Sequence, residues 1–210
     1  MIYRNSVRPI AAAIALASVS STAYAQLEEV IVTAQKRMES AQDVPIAVTA
    51  FDADSMAAKQ IVGFSDLRFT TPNVTVAKTN FSSTNFQVRG IGRSLTATSG
   101  DAGVGIHINE VPIVAPRLFE TKYFDVQSLE ILRGPQGTLY GRNATGGTVN
   151  MTTARAETGE LSGNLEGQYG DFEHKKINGH INIPVGDRFA MRFSGLWLER
   201  EGYTHNEYLD

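Results

Sequence analysis

Residues 129–150 read LEILRGPQGTLYGRNATGGTVN. A short apolar strand, Leu129 to Leu132, runs into a stretch punctuated by Gly134, Gly137, Gly141, Gly146 and Gly147. No Lys-Ser/Thr pair follows these glycines, so the stretch is not a phosphate-cradling P-loop. With Pro135 and Tyr140 it reads as turn chemistry. The glycines permit positive φ and close backbone approach, and carry no ligand themselves.

Working outward, the pattern changes after Glu160. In ELSGNLEGQYG, Leu161, Gly163, Leu165, Gly167 and Tyr169 share one side, and Ser162, Asn164, Glu166 and Gln168 the other. In KINGHINIP, Ile177, Gly179, Ile181 and Ile183 alternate with Asn178, His180 and Asn182. In FAMRFSGLW, Phe189, Met191, Phe193, Gly195 and Trp197 again share a face. Pro184-Val185-Gly186-Asp187 reads as a tight turn between the last two. Strands of about nine to eleven residues with this period suit a membrane β-barrel, lipid on one side and a polar lumen on the other. They equally suit a soluble sheet covering a core.

Upstream, residues 42–155 read as a small α+β unit. ADSMAAKQI (53–61) predicts a short helix capped by Asp54 or Ser55, and SDLRF (65–69) a single turn stopped at Thr71-Pro72. Strands are expected in IAVTAF (46–51), NFQVRGI (85–91), VGIHINEVPI (104–113) and SLEILRG (128–134), with Asn109-Glu110 turning a hairpin. Arg89 and Arg133 each follow an apolar strand and precede a glycine. Each reads either as an exposed strand-end arginine or as a buried, orienting partner for a carboxylate.

The chain opens with two basic residues, Arg4 and Arg8, a small apolar run and Ala23-Tyr24-Ala25. This is the pattern of a secretory signal peptide over 1–25, too short in its apolar part to span a bilayer; an N-terminal anchor is the alternative. The mature chain then starts with EEVIVTAQKR (28–37), a β-branched strand with no turn after it that would fold it back, joined by a polar tether (26–41 in all). It reads either as an exposed strand awaiting a partner or as the first strand of the following sheet.

Composition excludes several classes. The formal net charge is −3 and falls by two more once Arg4 and Arg8 are removed, which argues against nucleic acid as a partner. There is no cysteine, hence no disulfide framework or thiolate chemistry. His107, His174, His180 and His205 have no metal-ligand spacing, and His174 and His180 read as solvated. No catalytic, cofactor-binding or metal residues are expected, and an enzyme is disfavoured.

The stretch 129–150 resembles the C-terminal part of the plug domain of TonB-dependent outer-membrane receptors. EEVIVTAQKR resembles their TonB box. QDVPIAVTAFDADSM, the Pro-Asn of TTPNV, FQVRGIG and VGIHINEVPI match further plug motifs in the same order. Asn109-Glu110 stands where the family usually has Asp-Gly. The resemblance covers about residues 28–200.

It implies an α+β plug followed, over 156–210, by the first antiparallel strands of a transmembrane barrel of about 22 strands when complete. It implies active transport of a scarce nutrient, in the first place an iron–siderophore complex, across the cell outer membrane, with plug and TonB box facing the periplasm. TonB, with its inner-membrane energising complex, would grip Glu28, Glu29, Val30, Ile31, Val32, Thr33 and Ala34 by adding a strand. Arg89 and Arg133 would lock the plug to barrel glutamates beyond residue 210. Outer-membrane lipid is the other partner, no cofactor is implied beyond iron in the transported ligand, and the polar stretches Lys78–Asn85 and Arg93–Asp101 are candidate ligand-facing apices. Three strands cannot close a barrel, since the smallest have about eight, so a fragment or the product of a truncated gene is expected; Glu28 follows the expected cleavage point almost at once, so no transducer domain is expected. The alternative is a non-transporting periplasmic plug-like module that binds TonB or ligand.

Overall fold

The structure, a computed structural model, describes residues 31–33, 36–37, 39–78, 84–92, 103–113 and 122–202. The signal-peptide stretch, Glu28, Glu29, Val30, Ala34, most of Lys78–Asn85 and all of Arg93–Asp101 lie outside the described residues.

The chain forms β1 (Ile31–Val32), β2 (Glu39–Ser40), β3 (Ala47–Asp52), α1 (Ala53–Ala58), a 3-10 turn (Phe64–Asp66), α2 (Leu67–Thr70), β4 (Val74–Lys78), β5 (Thr84–Val88) and β6 (Ile91–Gly92). There follow β7 (Val104–Ile108), β8 (Val111–Pro112), β9 (Val126–Arg133), α3 (Gly137–Tyr140), β10 (Gly147–Thr153), β11 (Ser162–Gly170), β12 (His174–Val185) and β13 (Phe189–Glu199). Among the described residues no helix is long and apolar enough to cross a membrane.

A five-stranded sheet, order β3-β9-β10-β7-β8, organises the first part. Period-two alternation gives it two unlike faces. Thr49, Ile131, Val149 and Ile106 lie in one cross-strand row, with Phe51, Leu129 and Met151 in the next on the same side. This face packs on Met56, Ile61, Phe64 and Leu67 and on Val74, Val76, Phe86 and Val88 of the β4–β5 hairpin, forming the main core. On the other face Ala50, Glu130, Asn150 and His107 form a row.

The Asn109-Glu110 hairpin forms as expected. Both residues have positive φ, 50° and 69°, the requirement of a type I′ turn. Two expectations are corrected. Helix α1 is capped by Asp52 rather than Asp54 or Ser55: the extended end of β3 leaves its Oδ1 to accept from Ser55 N at 2.8 Å, one of the helix's orphan donors. Strand β12 runs through Pro184 and Val185, which pair with Ala190 and Phe189, so the turn begins at Gly186, where φ is 70°.

Strand β10 was not foreseen. Its first residue lies in the glycine pair Gly146-Gly147, and a Cβ on Gly147 would stand 2.3 Å from Leu132 O. That close approach lets β10 enter between β9 and β7.

Strands β11, β12 and β13 form a separate antiparallel sheet of nine, twelve and eleven residues. Its apolar side is bare: Leu165 is 81% exposed, Tyr169 79%, Phe193 58% and Trp197 50%. Its polar side faces the first sheet. Asn182, 1% exposed, holds the connection between the two sheets: its Oδ1 accepts from Glu157 N, and its Nδ2 donates to Glu157 O and Glu160 O. A soluble sheet would bury its apolar side, so the open alternative from the pattern is resolved towards an outward-facing apolar wall.

Replacing Gly147 with alanine should destabilise the first sheet by about 2–4 kcal/mol, because a backbone carbonyl must move. Urea dependence of protease resistance checks this.

Candidate functional site

The leading segment does fold back, contrary to the sequence expectation. β1 pairs antiparallel with β2, Ile31 opposite Ser40 and Val32 opposite Glu39. The turn uses no glycine or proline, which is why it was not legible: Lys36 takes φ 59° and its N donates to Thr33 O at 2.8 Å. The Lys36 ammonium lies 5.8 Å from the centre of the Tyr140 ring. β1's second edge pairs with no strand among the described residues.

Val32 is fully buried while Ile31 is exposed. Val32 packs with Val44, Leu132, Tyr140 and Ala144 on the polar-row face of the sheet. Beside it, Thr33 donates twice to Glu130 Oε1, from N at 2.6 Å and from Oγ1 at 3.0 Å. Burial raises the Glu130 pKa, and the two Thr33 donors oppose that rise. His107, buried at the other end of the row and edge-on to Tyr140 at 5.1 Å, has its pKa lowered, first by burial and then by Lys36.

Of the expected site residues, Ile31, Val32 and Thr33 therefore sit together at this dock. Gly134, Pro135, Gly137, Tyr140, Gly141, Gly146 and Gly147 form the β9–β10 connection, closed by Gly134 N to Gly146 O at 3.0 Å and Gln136 N to Ala144 O at 2.7 Å. Arg89 is exposed in the turn after β5, and its guanidinium approaches Gly134. Arg133 is half-buried at the end of β9, its Nε without a hydrogen bond. Neither arginine forms an ion pair among the described residues.

The charged contact that does join the two sheets has the opposite polarity. Arg192 on β13 donates to Asp125, just before β9, through Nε at 3.1 Å to Oδ1 and 3.0 Å to Oδ2, and through a terminal nitrogen at 2.5 Å to Oδ1. His180 Nδ1 is 4.0 Å from the same oxygen, so this histidine faces a carboxylate rather than bulk water. The Arg192 guanidinium, ahead of Ser194 and His180, holds the Asp125 carboxyl below its ordinary value. Alternation puts Arg192 on the polar side of its strand, which was visible; its partner 67 residues away was not. A polar cleft of about 720 Å³ extends beside this contact, lined among others by Asp54, Gln60, Gln127, Glu166 and Lys176.

Comparison with known proteins gives three findings. Residues 40–148 match the family model described as TonB-dependent Receptor Plug Domain. The chain is 26% identical over 190 residues to the pesticin receptor of Yersinia pestis (89% of this chain, 27% of the relative) and 23% identical over 206 residues to the iron-regulated outer membrane virulence protein of Vibrio cholerae (87% and 30%). It thus spans less than a third of the length of these relatives. Among solved structures it resembles the ferric yersiniabactin uptake receptor of Yersinia pestis, TM-score 0.65 at 24% identity over 72% of this chain and 24% of that one. The ferripyoverdine receptor of Pseudomonas aeruginosa gives 0.67 at 16% identity, over 81% and 22%. These likenesses show the fold.

Arg192→Ala should cost about 1.5–3 kcal/mol by leaving a mostly buried carboxylate unpaired. Because the folded pKa of Asp125 is depressed, the contact's contribution is present in full above pH 3.8 and is lost as pH falls below it through the lowered value. Asp125→Asn should abolish that acid dependence, read from the midpoint of heat-induced unfolding against pH.

Proposed function

The chain belongs to the TonB-dependent receptor plug domain family, and from that membership we propose that it is the plug and first barrel strands of an outer-membrane transporter for an iron–siderophore complex. The observation that carries this reading is the wall of β11–β13. Its apolar side is bare, as lipid contact requires, and its polar side receives the plug through Arg192 and Asn182. A periplasmic module without a barrel would have to leave that apolar side in water. Strands joining both free edges of the wall would close the barrel and satisfy backbone groups that hydrocarbon cannot.

Transport needs the plug to move, and the leading segment is where work enters. β1 is two residues long, paired on one side only among the described residues, and held by Val32 and Thr33. TonB adding a strand to its free edge gains main-chain hydrogen bonds of about 0.5–1.5 kcal/mol each. Arg89 and Arg133 are the proposed lock to glutamates of the inner wall; the unpaired Nε of the half-buried Arg133 supports this. The family match favours a transporter over an enzyme.

In outer-membrane fractions the receptor should run as a heat-modifiable barrel; recovery as a soluble periplasmic protein would favour the plug-like module. Val32→Pro removes a donor in β1. It should lower TonB-dependent uptake of radioiron-loaded siderophores at least ten-fold while membrane insertion and ligand binding persist. Loss of folding instead would make β1 an integral strand of the plug. Arg89→Ala with Arg133→Ala should release the plug at lower denaturant, and unchanged retention would refute the lock.

A further inference from the structure

The face of the sheet beneath the leading segment is buried, polar and short of partners. Thr148, Asn150, Glu130 and His107 are all at least 95% buried. Glu130, Asn150 and His107 stand side by side across β9, β10 and β7, and Thr148 lies one pleat away on the same side. Thr148 Oγ1, Asn150 Oδ1, His107 Nδ1 and Glu130 Oε2 make no hydrogen bond of normal geometry. Asn150 faces the Glu130 carboxylate, yet the two donors within bonding distance of Oε1 are both from Thr33.

Such an arrangement has opposite effects on the two positions of the segment. Docked, the segment buries Val32 against Leu132, Tyr140 and Ala144, and Thr33 supplies Glu130 with its donors. Lifted, the segment takes both Thr33 donors from Glu130 and admits water to that carboxylate and the polar atoms beside it. An apolar face would be penalised by the same exposure.

We propose that Glu130 and the row Thr148–Asn150–His107 form a release catch: Glu130 positions the leading segment through Thr33, and hydration of the row resists redocking once the segment lifts. Glu130 is a positioning residue here, touching neither ligand nor partner. The consequence for transport rests on the function proposed above, because only a pulled segment needs to stay released. The catch itself does not rest on it.

The chain has no cysteine, so single cysteines report exposure cleanly. Val32→Cys reports docking, since Val32 is fully buried while the segment is docked, and Val149→Cys, fully buried on the opposite face, reports the main core. Both are labelled with a hydrophilic maleimide in outer-membrane preparations of the receptor, without TonB. Glu130→Ala should speed labelling at position 32 at least ten-fold, and Glu130→Gln, which keeps an acceptor oxygen, less than three-fold, with position 149 unreactive throughout. Thr148→Val with Asn150→Leu, which makes the row more apolar, should slow labelling at position 32 several-fold below the parent. An unchanged rate in Glu130→Ala, or parallel labelling at position 149, overturns the positioning role. An unchanged or faster rate in the apolar-row variant overturns the release role. Either failure leaves the uptake test of Val32→Pro standing, since no partner or ligand enters these measurements.

Discussion

Strand β9 is the constraint on which the rest depends. It is paired along its length on both sides, by β3 and β10, so its alternation cannot slip without exchanging the two faces of the sheet. Leu129 and Ile131 commit one face to the main core. Glu130 and Leu132 are thereby committed to the other, where the leading segment docks. Asp125 immediately before the strand meets the wall through Arg192, and Arg133 at its end carries the unpaired guanidinium nitrogen. Each contact between the plug's central sheet and a separate element thus hangs on one register.

Magnitudes separate the two contacts. Burial of Val32 contributes about 1.5–3 kcal/mol, and two bonds to a carboxylate about 1.5–3 each. Against these stand the ordering of several backbone residues at about 1–2 kcal/mol apiece and the unsatisfied polar row. The two sides are of the same order and of opposite sign. The Asp125–Arg192 contact orders side chains whose backbones are already fixed in or beside strands, and its two-pronged geometry belongs to the stronger class of ion pair.

Sequence made the elements legible where chemistry is local. Period-two alternation placed all three wall strands, and a pair of left-handed residues placed the Asn109-Glu110 hairpin. It failed where the determinant is a distant partner. The Lys36 turn carries no glycine or proline, and closes because Val32 and Thr33 find Leu132 and Glu130 about a hundred residues on. Glu130 itself, an acid between leucine and isoleucine, was a visible anomaly in LEILR; which face it took depended on β10, whose entry between two strands is written in the close approach at Gly147 rather than in propensity. Arg89 and Arg133 were singled out for their type, yet the bond joining plug and wall uses a plug acid and a wall base.

Topology then sets the order in which tension from the N-terminus meets resistance. The first contacts are Thr33 on Glu130 and the two-residue ladder of β1 with β2. Only a short connection separates β2 from β3, and β3 is an edge strand, paired among the described residues with β9 alone. Its first residue, Ala47, pairs with Arg133, and its last, Asp52, with Ser128, so peeling proceeds along β9 from the Arg133 end towards Asp125. An antiparallel edge pulled from one end opens one rung at a time, while β10 stays paired with both β9 and β7. The peel ends beside Asp125, where the chain is tied to the wall.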